Sequence, residues 1–321
     1  MILALVELIG GLVVLGWSAD RFVLGSASTA RHLGLPALLI GMVIIGFGTS
    51  APELVVSAFA SSGGNPEIAL GNAYGSNIAN IGLVLGIAAI VSPIFVHRGA
   101  VTVEIPMLFG VLALAAWQYR DYTLSRPEAA LLLAAFAAFI GWSFWHAMRT
   151  KGEHLAIDAE QELAEAGLSK SASVAWMLVG LVLLVASSYY LVEGAKVVAR
   201  QLGLSDLVIG LTVIAVGTSL PELASAVAAA RRSEHDLIIG NIVGSCLFNA
   251  LGVVGLAGVI HPASVDPAIL TRDLPALAVL TIALALVAYR FRRDRHINRI
   301  QGLLLLVGFV TYTVYVLVTS L

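Results

Sequence analysis

Long apolar stretches alternate with short polar segments along nearly the whole chain, and each is close to the ~20 residues that cross a bilayer as a helix. Ten such stretches can be placed, at approximately 2–19, 35–62, 68–92, 100–118, 127–147, 173–195, 204–230, 236–260, 272–290 and 300–319. The polar stretch 148–172 separates five spans from five and is expected to be a solvated linker. The pattern predicts an all-α integral membrane protein with ten transmembrane helices.

Composition agrees with a membrane protein and narrows its partners. Hydrophobic residues make up 59% of the chain and charged residues 12%, about half the share of a soluble domain, and the mean hydropathy is +0.94. The lipid bilayer is therefore an expected partner. A net charge of −2 gives no reason to propose nucleic acid, and the single cysteine excludes an intramolecular disulfide framework. The first residues lack a basic leader and a cleavage site, so they are expected to form the first span.

One stretch of the sequence occurs twice. Residues 40–86 return at 209–255 with a constant offset of 169, and 17 of the 47 positions are identical. Each copy reads G-T-S-x-P-E-L and then G-N-x-x-G-S-x-x-x-N, so Glu53 and Glu222 occupy matching positions. Two carboxylates at equivalent points of a duplicated apolar chain indicate a cation site between the halves of a transporter.

The repeat predicts how the two halves enter the membrane. We expect a first five-helix repeat at 1–147, a cytoplasmic linker at 148–172 and a second repeat at 173–321. Because five is an odd number, the second repeat is expected to start from the opposite side, so the repeats would be inverted. Inverted repeats give two nearly equivalent conformations, one open to each side, which is the architecture of alternating access. The odd-numbered loops carry thirteen Lys and Arg against five in the even-numbered loops. Cytoplasmic loops are rich in these residues, so both termini are predicted outside.

The repeated motif places a helix break beside each glutamate. Pro52 and Pro221 lack a backbone donor and free the carbonyl four residues earlier. The carbonyls of Gly46 and Ala215 are also expected to loosen from the helix. Unwound backbone inside a membrane is tolerated where it lines a polar cavity.

The available ligands are all oxygens, which suit hard cations, and paired Cys or His typical of zinc or copper sites are lacking. Two glutamates neutralise one divalent ion, and an unpaired buried carboxylate is costly. Protons or monovalent cations that compete with a divalent ion for this site provide a basis for exchange.

The doubled motif, GTSAPEL…GNAYGSNIAN with GTSLPEL…GNIVGSCLFN, resembles the two α-repeats of the calcium/cation antiporter superfamily, in particular its prokaryotic sodium/calcium exchanger branch. The resemblance covers all ten spans and implies inverted five-helix repeats. It also implies ion sites in spans two, three, seven and eight, with the first and sixth helices sliding across that core. Carried over by position, it implies calcium and sodium ligands at Glu53, Glu222, Thr49, Thr218, Ser50, Ser219, Ser76, Ser245, Asn80, Asn249, Gly46 and Ala215.

Two further features refine the function that the resemblance implies. Asn80 and Asn249 stand where potassium-dependent exchangers carry Asp in one or both repeats, so no potassium requirement is expected. The chain lacks the large insertion of animal exchangers, which implies no regulatory calcium-binding domain. The expected function is electrogenic sodium/calcium antiport that extrudes calcium across a bacterial or archaeal plasma membrane, with three sodium ions per calcium in the family. Calcium and sodium are the transported ions, no cofactor is expected, and protein partners stay open.

Other functions remain open on the residues alone. A proton/calcium exchanger, or one for another divalent ion such as manganese, would use the same Glu pair. A membrane enzyme is disfavoured because the repeat makes the carboxylates equivalent, and because the H-E-x-x-H and G-x-S-x-G motifs are lacking. A structural membrane protein would not need charged residues at mid-span.

Overall fold

A computed structural model describes residues 2–35, 37–96, 103–150, 168–202, 215–290 and 296–320 of this chain. The helices are α1 (Ile2–Leu33), α2 (Gly41–Thr49, after the short helical segment Ala37–Ile40), α3 (Ala51–Ser62), α4 (Pro66–Val91), α5 (Ile105–Gln118), α6 (Arg126–Thr150), α7 (Lys170–Gln201), α8 (Ala215–Thr218), α9 (Leu220–Arg231), α10 (His235–Ile260), α11 (Leu274–Arg290) and α12 (Arg299–Ser320). Within these ranges, seven helices are long and apolar enough to cross a membrane, and the bent pair α2 and α3 makes an eighth span. The protein is an all-helical membrane protein, as predicted.

Two helices form the centre of the bundle. In α4, 78% of the apolar window is buried inside the protein, and in α10 89%, against 11–39% in the other spanning helices. The bent pair α2–α3 packs against both central helices, whereas α6 and α12 cover the bundle from outside. The repeated G-N-x-x-G-S segments therefore lie on the two most buried spanning helices, which are the helices expected to carry part of the site.

The first helix extends beyond the predicted end of span one. The prediction of a loop after residue 19 is wrong, because α1 continues to Leu33 and includes Arg21 and Arg31. The segment contains no proline that would stop a helix, and α1 ends only before Gly34, whose φ of 59° is a left-handed conformation. Arg21 is held within the helix by the rings of Trp17 and Trp176, with its guanidinium carbon 5.9 and 5.4 Å from their centroids.

Glycines bring α1 and α7 into close contact. A Cβ at Gly25 of α1 would lie 2.4 Å from the backbone nitrogen of Met177, and one at Gly180 of α7 would lie 2.7 Å from that of Phe22. About one turn beyond the Gly25 contact, the hydroxyls of Ser28 and Ser173 are 2.7 Å apart. Small residues at such a crossing let two membrane helices pack backbone to backbone.

Four short strands join the halves of the chain. They are β1 (Ile94–Phe95), β2 (Thr123–Leu124), β3 (Ala263–Ser264) and β4 (His296–Ile297), and β1 pairs with β4 while β2 pairs with β3. Strands β1 and β3 are 169 residues apart, the offset of the repeat, yet each pairs with a strand of the opposite half. Strand β1 follows the end of α4, and Ser264 of β3 donates a hydrogen bond to Glu67 at the start of α4. The two pairs thus lie at opposite ends of a helix about 39 Å long.

The central helices meet at equivalent residues. Asn77 of α4 and Cys246 of α10 are also 169 positions apart. The Asn77 amide nitrogen donates to the Cys246 carbonyl at 3.1 Å, and the Cys246 thiol lies 3.9 Å from the Asn77 carbonyl. The contact is thus reciprocal and joins equivalent positions of the repeated sequence.

Parts of the sequence-based prediction fall outside the described residues. The helix α6 extends to Thr150 and α7 begins at Lys170, so both enter the predicted linker 148–172. Most of the predicted linker 148–172 and the beginning of the predicted span 204–230 lie outside the described residues.

We predict that Gly25→Ala destabilises the protein by about 1–3 kcal/mol, because the new methyl group overlaps backbone atoms of α7. Gly16→Ala on the same helix is the control, since nothing lies within 4 Å of a Cβ there. Thermal unfolding of the purified variants should show a lower midpoint for Gly25→Ala alone. Equal midpoints for the two variants would contradict the packing.

We also predict that Asn77→Cys forms a disulfide with Cys246, because the side chain of each residue reaches the backbone of the other. A protease site inserted between residues 150 and 170 allows the halves to be separated after oxidation. The halves should migrate together on a gel until a reductant is added. Asn77→Cys combined with Cys246→Ser is the control, and halves that separate under oxidation in both variants would refute the contact.

Candidate functional site

Each repeat carries a helix break at the same position of its motif. In the first repeat α2 ends at Thr49, α3 begins at Ala51, and the two are bent by 50°. Ser50 at the break has φ −83° and ψ 9°, and Ser219, which separates α8 from α9, has φ −87° and ψ 6°. The predicted breaks at the G-T-S-x-P-E motifs are confirmed.

Proline and glutamate open the helix that follows each break. Pro52 and Pro221 lie in the first two positions of α3 and α9, where the missing N–H costs no hydrogen bond. Glu53 and Glu222 lie in the first turn of the same helices. The positive end of a helix dipole favours a carboxylate there. The motif thus gives each buried carboxylate partial electrostatic support from its own backbone.

Both glutamates are 1% exposed, and each has one satisfied oxygen and one unsatisfied oxygen. Ser50 donates to Oε1 of Glu222 at 2.9 Å, a contact between repeats, and Ser76 donates to Oε1 of Glu53 at 3.4 Å. Oε2 of each carboxylate is buried without a hydrogen-bond partner. In the described part of the chain no basic side chain pairs with either glutamate. Among the described residues, neither carboxylate is therefore neutralised by a basic side chain.

Further buried polar atoms without partners belong to the predicted site. They are Oγ of Ser219 and both amide atoms of Asn80 and Asn249. Buried polar groups are normally hydrogen-bonded, so a set of orphans on the repeated motif points to a ligand that they coordinate. No group of three or more His, Cys, Asp or Glu that could hold a metal occurs among the described residues. The remaining ligands would be hydroxyl, amide and carbonyl oxygens, which are typical of sites for hard cations.

The carbonyl of Gly46 differs from the prediction. It was expected to loosen from the helix, but it accepts the backbone N–H of Ser50 at 3.2 Å and the hydroxyl of Ser245 at 3.1 Å. The reason is that Pro52 removes the donor to Gly48, two residues further along, and leaves the donor to Gly46 in place. The Gly46–Ser245 bond again joins the two repeats.

The other predicted residues lie at the breaks. The Thr49 hydroxyl is 2.9 Å from the Ile45 carbonyl and 3.2 Å from Oδ1 of Asn241. Thr218 ends α8 and is partly buried. Ala215 begins α8, and its side chain lies outside the described part.

Two asparagines of the site were missed by the sequence reasoning. Asn72 and Asn241 donate to the main-chain carbonyls of Glu53 and Glu222, each at 3.4 Å. Both belong to the repeated G-N-x-x-G-S motif and stand one helical turn before Ser76 and Ser245. This four-residue spacing from two predicted ligands is the sequence feature that pointed to both asparagines.

The chain has close relatives and solved structural neighbours. The family described as sodium/calcium exchanger protein matches residues 3–145 and 172–318. The CaxA protein of Alkalimonas amylolytica is 42% identical over 321 residues, covering 100% of both chains. The inner membrane protein YrbG of Escherichia coli (strain K12) is 37% identical, covering 97% of this chain and 96% of its own. The solved structure of the sodium-calcium exchanger NCX_Mj is 32% identical, with a TM-score of 0.83 and 97% coverage of both chains.

Proposed function

Because the chain belongs to the sodium/calcium exchanger family, we propose that this membrane cation antiporter exchanges sodium for calcium at a site that contains Glu53 and Glu222. The observation that carries the proposal is the pair of buried carboxylates at equivalent helix breaks, each with an oxygen that lacks a hydrogen-bond partner. Two carboxylates balance one calcium ion, and hydroxyl, amide and carbonyl oxygens complete the coordination. Sodium accepts the same oxygen ligands and competes for them.

The charges of the exchanged ions decide whether exchange carries a net current. More than one sodium ion has to balance one calcium ion at two carboxylates, and we propose an excess of sodium charge that makes exchange electrogenic. Sodium entering down its gradient would then extrude calcium across the plasma membrane of a bacterium or archaeon. We propose that the Thr, Ser and Asn positions of both motifs, together with Gly46 and Ala215, supply the oxygen ligands of the calcium and sodium sites.

We further propose that ten spans form two inverted five-helix repeats, 1–147 and 173–321, joined by a cytoplasmic linker at 148–172. The strand pairs support this arrangement, because β1 and β3 occupy equivalent positions but lie at opposite ends of α4. The reciprocal Asn77–Cys246 contact supports the same two-fold relation. Inverted repeats provide two nearly equivalent conformations, one open to each side, which is the basis of alternating access.

The proposed orientation can be tested with single cysteines in a Cys246→Ser background. We predict that a cysteine at Asn65, between α3 and α4, reacts from outside with a membrane-impermeant maleimide. A cysteine at Ser233, between α9 and α10, should react only after the membrane is opened. The opposite accessibility would place both termini in the cytoplasm.

We predict that Glu53→Gln reduces sodium-driven calcium uptake to background, because the site then lacks one of its two negative charges. The measurement is radiocalcium uptake into proteoliposomes with an outward sodium gradient, compared with an outward proton gradient. Glu67→Gln is the matched control, since Glu67 is an exposed carboxylate near the start of α4.

Each outcome separates one part of the proposal from the rest. Uptake driven by sodium in the unmodified protein, lost in Glu53→Gln and kept in Glu67→Gln, supports the ion and the site together. Unchanged uptake in Glu53→Gln would refute the site. Uptake driven by protons alone would retain the glutamates and refute sodium coupling.

A further inference from the structure

Asn72 and Asn241 make the same pair of contacts in the two repeats. The amide nitrogen of Asn72 lies 3.4 Å from the Glu53 carbonyl and 3.3 Å from the Ser57 hydroxyl. The amide nitrogen of Asn241 lies 3.4 Å from the Glu222 carbonyl and 3.1 Å from the hydroxyl of Ser225. Each asparagine therefore joins a central helix to the first turn of the helix that follows a break.

The two hydroxyl partners come from positions that are not equivalent. Ser57 stands four residues after Glu53, whereas Ser225 stands three residues after Glu222, and the position equivalent to Ser57 is Ala226. The same asparagine contact is thus built twice from different local sequences. Duplication of the sequence alone does not account for that, so the contact itself has a role in the fold of the site.

The asparagines lie in line with predicted ligands. On α4, Asn72, Ser76 and Asn80 recur at intervals of four, which places them along one face of the helix. Asn72 holds the Glu53 backbone, and Ser76 donates to the Glu53 carboxylate one turn later. Asn241, Ser245 and Asn249 have the same spacing on α10. Helix α4 therefore contacts the main chain of Glu53 one turn before the residue that donates to its carboxylate. On α10, Asn241 contacts the main chain of Glu222, whereas Ser245 donates to the Gly46 carbonyl.

We propose that Asn72 and Asn241 are positioning residues that hold the first turns of α3 and α9 against α4 and α10. They thereby fix the distance between each carboxylate and the ion. This inference rests on the proposed role of Glu53 and Glu222 as ion ligands. An asparagine amide suits the task because its two N–H groups donate to the carbonyl and the hydroxyl at once. The Asn241 oxygen in addition accepts from Thr49 of the other repeat.

Loss of this contact should change which ion the site prefers as well as how tightly it binds. Selection among divalent ions depends on cavity size and ligand rigidity. When the first turn of α3 or α9 is released, the site loses its defined size, and a larger ion such as strontium is penalised less than calcium. A contact that only stabilised the fold would lower the unfolding temperature and leave this preference unchanged.

The test measures the half-saturating concentrations of calcium and of strontium for sodium-driven uptake in Asn72→Ala and Asn241→Ala. We expect a rise of about tenfold for calcium, in keeping with the loss of one or two hydrogen bonds, and a smaller rise for strontium. The increase in unfolding temperature caused by calcium should shrink in parallel. Where Asn72→Ala does not accumulate as folded protein, Ser57→Ala is measured instead and should show a smaller change in the same direction.

Asn77→Ala is the matched control. Asn77 is buried on the same helix and donates to a main-chain carbonyl, that of Cys246. This variant should unfold at a lower temperature but keep the half-saturating concentrations of both ions. An unchanged calcium-to-strontium ratio in both Asn72→Ala and Asn241→Ala would overturn the inference. A Glu53→Gln protein that still gains stability from calcium would instead overturn the glutamate assignment, and the positioning role with it.

Discussion

Two carboxylates buried in the middle of an apolar bundle are the constraint on which the rest of this structure depends. An ionised glutamate at that depth costs several kcal/mol unless it is compensated. Each carboxylate lies at the positive end of a helix and accepts one serine hydroxyl. That compensation is incomplete, because one oxygen of each remains without a hydrogen bond. The proposed cation would complete it, and the broken helices suit that role, as does the absence of a basic partner for either glutamate among the described residues.

The same constraint explains why the two repeats are so closely joined. Ser50 of the first repeat contacts Glu222 of the second, and Ser245 of the second contacts the Gly46 carbonyl of the first. The ligand sphere of the proposed ion would thus take members from both halves. Glycine allows α10 of the second repeat to lie this close to α2 of the first, since a Cβ at Gly244 would lie 2.3 Å from the Met42 carbonyl oxygen. The buried glutamates and the glycine that lets the two repeats pack closely therefore belong to the same arrangement.

The sequence predicted those features that depend on residue type and spacing. The doubled motif located Glu53 and Glu222, and proline chemistry located the breaks at Ser50 and Ser219, all within a helical membrane protein of the expected family. The ten spans, the inverted repeats and the orientation remain predictions.

Features that depend on neighbours in space were mispredicted or missed. The end of α1 was placed too early because charge alone suggested a loop where two tryptophan rings accommodate Arg21. Asn72 was missed because its partner is a main-chain carbonyl nineteen residues away, and only its spacing from Ser76 in the repeated motif pointed to it.

The exchanged strand pairs have a consequence for half of the chain by itself. A single repeat would contain one strand of each pair, one glutamate and one side of the Asn77–Cys246 contact. In the proposed inverted arrangement, each of these is completed by its counterpart only when that counterpart enters the bilayer in the reverse direction. A half-length protein built this way would have to assemble as an antiparallel homodimer, with its copies inserted in both orientations. Fusion of two such genes into one chain removes the need for dual insertion and leaves each half free to diverge.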